Sequence, residues 1–108
     1  MPSYLKTATF RSEPLRRLVT RIACVRCGVW GYNQGAHMGG LAEGKGRGLK
    51  VSDARVAALC GPRVGIPGCH AEVGDGRGDE GLKWVALTYI ALVEAGELVP
   101  NPREGWKR

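Results

Sequence analysis

The stretch CVRC, residues 24–27, places two cysteines three positions apart, and GCH, residues 68–70, brings another cysteine much later in the chain. Cys60, the remaining one, stands between them. A C-x2-C turn presents two sulfurs on one side of a tight knuckle, ready for a tetrahedral ion, and a second pair from elsewhere completes such a site. The four thiols therefore have three interpretations: a disulfide framework, a structural metal site or part of an active centre.

Composition favours the metal site. The chain has 108 residues, 44% of them hydrophobic, with 17 glycines and a single phenylalanine. This length predicts one domain, and folding hides only about two-thirds of the unfolded chain's surface at that size. The sequence contains neither a secretory signal nor a run of about 20 apolar residues, which predicts a cytoplasmic, reducing environment and no membrane partner. Cysteines there are metal ligands more often than disulfides.

The cysteine spacing predicts one Zn2+ held by Cys24, Cys27, Cys60 and Cys69. The first pair has the usual separation, whereas eight residues separate the second pair where two to four is usual. Glycines and prolines within 61–68 permit a loop that folds back on itself. Bound zinc would contribute folding free energy to a thin core. A disulfide pair or free thiols are the alternatives, and His70 is left for another role because adjacent residues rarely bind the same small ion.

The rest of the chain divides into a flexible N-terminal arm (1–11), a single domain (12–99) and a C-terminal tail (100–108). Residues 12–23 predict a short helix capped by Ser12. Short extended segments flank a turn-rich GYNQG at 31–35, and 39–50 has the composition of a flexible loop. VSDARVAALC at 51–60 fits either a strand or one helical turn.

The clearest element is a late amphipathic helix that opens at Asp79 and ends at Gly96, followed by Pro100. Its predicted core-facing stripe is Leu82, Val85, Ala86, Tyr89, Ile90 and Val93. Trp30 and Tyr32, beside the first knuckle, fit either a stack on an unpaired base or the core. We expect Trp30 in the core and leave Trp84 open.

Charge is distributed unevenly. The first 60 residues hold ten lysines and arginines against three acidic residues, whereas the remainder holds six against seven. Such a basic half favours a nucleic-acid partner, and DNA is our expectation; the alternative is a solvated basic surface. The predicted phosphate contacts are Arg16, Arg17, Arg21, Arg26, Lys45, Arg47 and Lys50. A linker is the alternative for the glycine-rich segment around Lys45.

A knuckle, an extended segment, a loop, a second extended segment and a helix opening at the last cysteine follow the order of a treble-clef zinc fold. This order places His37 on the first strand and His70 in the first helical turn. CVRC, AHM, GRGLKVSD, LC and CH, in sequence from about residue 15 to residue 98, resemble the small phage and prophage-encoded nucleases of the HNH-like, ββα-metal type. The most specific part is GxGxKxxD, which ends at Asp53.

The resemblance implies an α+β, zinc-stabilised ββα-metal domain with flanking helices that hydrolyses phosphodiester bonds. His37 matches the general base and His70 matches the neutral imidazole that holds Mg2+ or another divalent ion. Ala36 stands where many such nucleases have an acidic ligand, so Asp53 and Asp75 become the candidates for that place. A phage origin would put the protein in the cytoplasm of a bacterial host.

The alternative function is a non-catalytic zinc-finger-like module that recognises DNA or a protein. It would share the zinc ion and the basic face, but it would need neither histidine. A structural role for His37, held by a hydrogen bond, and a spare ligand role for His70 belong to this alternative. The sequence gives no prediction of oligomeric state.

Overall fold

The computed structural model describes residues 10–39, 52–76 and 78–99. Its elements are α1 (Glu13–Leu18), a 3-10 turn (Val19–Arg21), β1 (Asn33–His37), a second 3-10 turn (Asp53–Arg55), β2 (Val56–Cys60), α2 (Cys69–Val73) and α3 (Gly78–Glu94). The α+β class is confirmed. The predictions for the arm before Phe10, the loop at 40–51 and the tail at 100–108 fall outside the described residues.

The N-terminal helix begins as predicted but ends early. Ser12 Oγ accepts a hydrogen bond from the Leu15 N–H at 3.2 Å. After Leu18 the chain tightens into the 3-10 turn, and the Asn33 amide donates to the carbonyls of Val19 (2.9 Å) and Ile22 (2.7 Å). Because a side chain from β1 satisfies these carbonyls, the helix has no need to continue to residue 23.

The two strands form an antiparallel sheet in which Gly35 faces Ala58 and His37 faces Val56. β1 begins at Asn33, so the turn predicted for GYNQG is wrong. A Cβ at Gly35 would lie 3.1 Å from Val56 Cγ2, and a glycine therefore suits this tight pairing. The position of β1 depends on its close packing against β2. Glycine and asparagine in a short stretch of sequence indicate a turn, but they do not reveal such a contact with a distant strand.

β2 is buried along its whole length and divides the core into two clusters. Alternate residues of a strand point to opposite faces. One cluster contains Ala36, Met38, Ala57, Leu59 and Trp84 with three of the cysteines, Cys24, Cys60 and Cys69. The other contains Val19, Ile22, Val56, Ala58 and Leu92. The strand thus bridges the cysteine side of the domain and the side packed against α1.

α3 packs through a face that differs from the predicted one. Trp84, Thr88 and Leu92 are buried, whereas Leu82, Ile90 and Val93 of the predicted stripe are 45%, 51% and 43% exposed. The helix is apolar on almost every side, so periodicity alone cannot select its inner face. Hydrogen bonds make the selection: Thr88 Oγ1 accepts from the Ala58 N–H at 2.9 Å and donates to the Trp84 carbonyl at 2.8 Å.

The ends of α3 and the first knuckle give one confirmation and two corrections. Gly96 has φ of 78°, and its N–H donates to the Val93 carbonyl at 3.0 Å, as the predicted helix end requires. Asp79 lies inside the first turn instead of capping it. Trp30, expected in the core, is 65% exposed.

No helix in the described part of the chain combines the length and apolar character that crossing a bilayer requires.

Thr88→Val tests how α3 is oriented. The isosteric change leaves the buried Ala58 N–H without an acceptor, so the free energy of unfolding should fall by about 1–3 kcal/mol. Urea denaturation measures it. Thr20→Val is the matched control, because Thr20 is exposed and donates only to the Arg17 carbonyl of its own helical segment. Its effect should stay within about 0.5 kcal/mol, and equal losses at both threonines would contradict this orientation.

Candidate metal centre and histidine cleft

The four cysteines converge, as their spacing predicts. Their sulfurs all lie within 4.8 Å of one another, and none of the four thiols forms a disulfide. Cys27 Sγ lies 3.8 Å from Cys60 Sγ. Sulfurs around a tetrahedral zinc ion with bonds of about 2.3 Å are separated by about 3.8 Å. The cluster can therefore hold a metal ion such as zinc with little rearrangement.

The first knuckle is closed by its own backbone. The Cys24 N–H donates to the Val29 carbonyl at 2.9 Å, and the Gly28 N–H donates to the Cys24 carbonyl at 2.9 Å. Gly28 has φ of 86°, in the region that favours glycine. The Arg26 N–H points at Cys24 Sγ, 3.4 Å away. A backbone donor of this kind stabilises a thiolate and orients it toward a metal.

The unusual C-x8-C spacing is accommodated by a small hairpin over residues 61–68. Arg63 and Ile66 exchange backbone hydrogen bonds of 2.9 and 2.8 Å. Gly68 has φ of 95°, and a Cβ there would lie 2.5 Å from the Gly61 carbonyl oxygen. Only glycine lets the two ends of the hairpin meet this closely. The Cys69 N–H then donates to Cys60 Sγ at 3.2 Å, so the loop returns its last cysteine to the first.

The electrostatics of the cluster favour a cation at its centre. Burial opposes ionisation of Cys60, but hydrogen bonds from Arg63 and the Cys69 N–H lower the Cys60 pKa to about 6. Burial, together with the three neighbouring sulfurs, raises the pKa of Cys69 to about 12 despite the Arg26 guanidinium. Four thiolates this close repel one another, and a bound cation removes that repulsion.

His37 and His70 line one cleft of about 710 Å³. His37 comes from the end of β1, and His70 comes from the first turn of α2. Asp75 lines the same cleft, directly after α2. The cysteine cluster holds the end of β2, at Cys60, next to the start of α2, at Cys69. His70, which follows Cys69, therefore lies beside β1. The structure thus brings together the two histidines that the sequence order singles out.

Asp53 occupies a place other than the predicted metal ligand position. Its side chain is fully buried, and Oδ1 lies 2.6 Å from His37 Nε2. Oδ2 accepts from the Ser12 N–H at 2.7 Å and from Arg16, while Arg11 Nη1 donates to Oδ1 at 2.9 Å. Because protein donors occupy both oxygens, Asp53 positions His37 and does not face a metal. Arg11, predicted in a flexible arm, belongs to the domain.

The buried carboxylate of Asp53 fixes the orientation of the His37 ring and selects the ring nitrogen that donates. Burial acts to raise the pKa of Asp53, but hydrogen bonds from His37, Ser12, Arg16 and Arg11 hold this pKa well below its usual range. A carboxylate can only accept, so His37 Nε2 carries a proton and donates it, and in the neutral imidazole the lone pair lies on Nδ1. An imidazole oriented by a carboxylate in this way is suited to general-base chemistry.

His70 is oriented by a different partner. Its Nδ1 lies 2.7 Å from Gln34 Oε1, and because an amide oxygen accepts, Nδ1 carries the proton and Nε2 keeps its lone pair. Burial lowers the pKa of His70, and the positive charge that His37 carries when it is protonated lowers it further. Metal-binding histidines usually donate their other ring N–H in this manner. The donor set fits a divalent ion at Nε2.

Few protein ligands accompany His70 in the cleft. Within residues 10–39, 52–76 and 78–99, the cysteine cluster is the only group of three or more potential ligands. Among the described residues that line the cleft, Asp75 is the one acidic side chain, and it stays the acidic candidate beside His70. An ion in this cleft would take most of its ligands from water and substrate, as Mg2+ commonly does when it binds through one or two side chains and phosphate oxygens.

The four predicted phosphate-binding arginines that the structure describes have acidic partners. The ion pairs are Arg16 with Asp53, Arg17 with Glu13 at 2.7 Å, Arg21 with Glu97 at 2.9 Å and Arg26 with Glu72 at 2.6 Å. Arg16 is committed to the buried carboxylate. The pair at Glu13 is exposed and weak enough to exchange for a phosphate contact. Lys45, Arg47 and Lys50 lie outside the described residues.

Sequence reasoning missed Arg11, Gln34 and Arg63. Arg11 and Gln34 reach partners 42 and 36 positions away, so no local signal could have identified them. Arg63, three residues after Cys60, was in principle recognisable as a cation beside a thiolate.

Comparisons with protein-family models, with curated proteins and with solved structures find no match to this chain.

Asp53→Asn tests the buried carboxylate through pH. A carboxylate whose pKa is lowered by folding stabilises the protein above the unfolded value of about 4, and this stability is lost as the pH falls below it. Urea unfolding between about pH 6 and pH 3 should show a steep loss in the wild type and a shallower one in Asp53→Asn.

Glu13→Gln is the control, because that carboxylate is exposed and paired only with Arg17. Its pH dependence should match that of the wild type. Identical slopes for the wild type and Asp53→Asn would remove the buried carboxylate from the account.

Proposed function

We propose that the cysteine cluster binds one structural Zn2+ and that the domain is of the treble-clef, ββα-metal type. The knuckle, the hairpin of β1 and β2, and a helix that opens at Cys69 support this assignment. The 3.8 Å separation of Cys27 Sγ and Cys60 Sγ suits Zn2+ bound by thiolates. A zinc ion with four thiolates carries two negative charges, which Arg26 and Arg63 offset, and its binding stabilises a domain with a small core.

We further propose that the protein is a metal-dependent endonuclease that hydrolyses phosphodiester bonds. The single observation that carries this proposal is the shared cleft of His37 and His70, in which a buried carboxylate orients His37. The cleft also contains Asp75 and opens to solvent, as a polymeric substrate requires. A binding module needs no pair of histidines in one open cleft, so the shared cleft favours the enzyme over the non-catalytic zinc-finger module.

The proposed chemistry assigns separate tasks to the two histidines. His37 Nδ1 takes a proton from the water that attacks phosphorus, while Asp53 stabilises the imidazolium that forms. His70 Nε2 and Asp75 would hold the divalent ion, and Gln34 keeps the His70 ring in the orientation this requires. When bound, such an ion would stabilise the negative charge that develops on the leaving oxygen.

The proposed partner is nucleic acid, with DNA as the expected form. The net charge of +6 supports a polyanionic substrate. The exposed Arg17 and Arg21 can exchange their carboxylate partners for phosphate, since surface ion pairs contribute little stability. A phage origin and a location in a bacterial cytoplasm stay predictions of the resemblance.

Chelation tests the zinc. Metal analysis of the purified protein should find one equivalent of zinc, and stripping it should abolish the cooperative thermal transition because the metal contributes folding free energy. Cys27→Ser, which changes the exposed ligand, should lower zinc occupancy. Omitting Mg2+ alone should leave the melting temperature unchanged. A chain that melts identically with and without zinc would contradict the structural role.

Plasmid nicking tests the catalytic proposal. Wild-type protein with Mg2+ or Mn2+ should nick supercoiled plasmid, and His37→Ala should lower the rate by about 100-fold or more, because a general base contributes at least that factor. Added imidazole should restore part of the activity. His70→Ala should instead raise the metal concentration that is required.

Lys83→Ala is the control for nicking, since Lys83 is an exposed cation on α3 that does not line the cleft. It should retain wild-type activity. If His37→Ala nicks as fast as the wild type, His37 is not the base. If the wild type cleaves neither supercoiled plasmid nor a single-stranded oligonucleotide with either ion, the non-catalytic module becomes the better account.

A further inference from the structure

An aromatic surface lies between the first knuckle and β1. Trp30 is 65% exposed and Tyr32 is 46% exposed, with Gly31 between them at φ of 92°. A large aromatic side chain loses hydrophobic stabilisation when it stays in water. Neither ring belongs to the two described core clusters. Both rings therefore keep an apolar face that a ligand can cover.

Arg63 joins this aromatic surface. Its guanidinium carbon lies 4.6 Å from the centroid of the Tyr32 ring, and Nη1 donates to the Gly61 carbonyl at 3.2 Å. Arg17 and Arg21, by contrast, are paired with carboxylates, and among the described residues no carboxylate pairs with Arg63. The contacts with Tyr32 and Gly61, together with the hydrogen bond to Cys60, hold the guanidinium in a fixed orientation.

The same surface adjoins the histidine cleft. Pro62 and Pro67 of the hairpin over residues 61–68 line the cleft, while Arg63, next to Pro62, lies toward the cysteine cluster. The Gly61 N–H donates to the Tyr32 carbonyl at 2.6 Å, which ties the aromatic segment to this hairpin. Tyr32 precedes the cleft residue Gln34 by two positions, about 7 Å along an extended chain. A strand lying on the aromatic surface can thus continue into the cleft.

We propose that Trp30, Tyr32 and Arg63 bind unpaired bases of a single-stranded nucleic acid and lead that strand to His37 and His70. The inference rests on the proposed function of the cleft and names its substrate class. Trp30 offers a face on which any base can stack. Arg63, held by Tyr32 and Cys60, offers the plane of its guanidinium for stacking. Bases within a duplex already stack on one another, so the surface selects single strands.

Fluorescence anisotropy with a labelled oligothymidine and with a labelled duplex tests the surface, in the presence of zinc and without added Mg2+. Trp30→Ala should weaken binding of the single strand by roughly 5- to 160-fold, the effect of losing one stacked base. Trp30→Phe should retain most of the affinity because it keeps an aromatic face. Arg63→Lys should also weaken binding of the single strand, since lysine keeps the charge but loses the plane. Duplex affinity should stay unchanged in all three variants.

Lys83→Ala is the matched control, because Lys83 lies 4.5 Å from the centroid of the Trp84 ring and makes the same kind of cation–aromatic contact away from the cleft. It should bind both oligonucleotides like the wild type. The inference is overturned if Trp30→Ala binds the single strand normally, or if single-strand and duplex affinities fall together. Melting temperatures show whether each variant is folded.

The binding assay and the nicking assay test the aromatic surface and the catalysis separately, so one proposal can fail while the other stands. A wild-type protein that binds single strands through Trp30 but cleaves neither plasmid nor single strands overturns the proposed catalysis and supports this surface. A protein that nicks normally while Trp30→Ala keeps full affinity for single strands overturns this surface and supports the catalysis.

Discussion

The convergence of four sulfurs is the constraint on which this small domain depends. The knuckle at residues 24–29, the end of β2 and the start of α2 are joined at one place, although the paired strands are only five residues long. A two-stranded sheet has little stability of its own in water. A metal ion at this junction would hold α2 against the sheet, and the position of His70 relative to β1 follows from that join.

A second interaction connects the start of the domain to the cleft. Asp53 is buried beneath His37 and accepts hydrogen bonds from Arg11, Arg16 and the Ser12 backbone. A buried carboxylate without such donors would be costly, so the segment before α1 is required for His37 to keep its orientation. Two distant parts of the chain therefore each fix one histidine: the cysteine cluster fixes His70, and the buried carboxylate fixes His37.

Local spacing predicted the features that depend on local geometry. The C-x2-C knuckle, the helix opening at Cys69, the cap at Ser12 and the helix end at Gly96 all follow from residues close together in the chain. The inner face of α3 was predicted wrongly because the helix is apolar on most sides and the Thr88 hydroxyl, which selects the face, bonds to β2. Asp53 was assigned to a metal because its true partners lie 16 to 42 positions away. Burial of a charge is decided by tertiary structure, and sequence patterns do not reveal it.

X-ray absorption at the zinc edge of the purified protein measures the metal environment on which the arrangement depends. The account predicts four sulfur neighbours at about 2.3 Å and no nitrogen neighbour, since His70 is reserved for the cleft. A spectrum that requires an imidazole nitrogen in place of one sulfur would bring His70 into the structural site and remove it from the cleft. Such a result would contradict the four-cysteine centre. It would also contradict the separate roles of His37 as general base and His70 as ligand of the divalent ion.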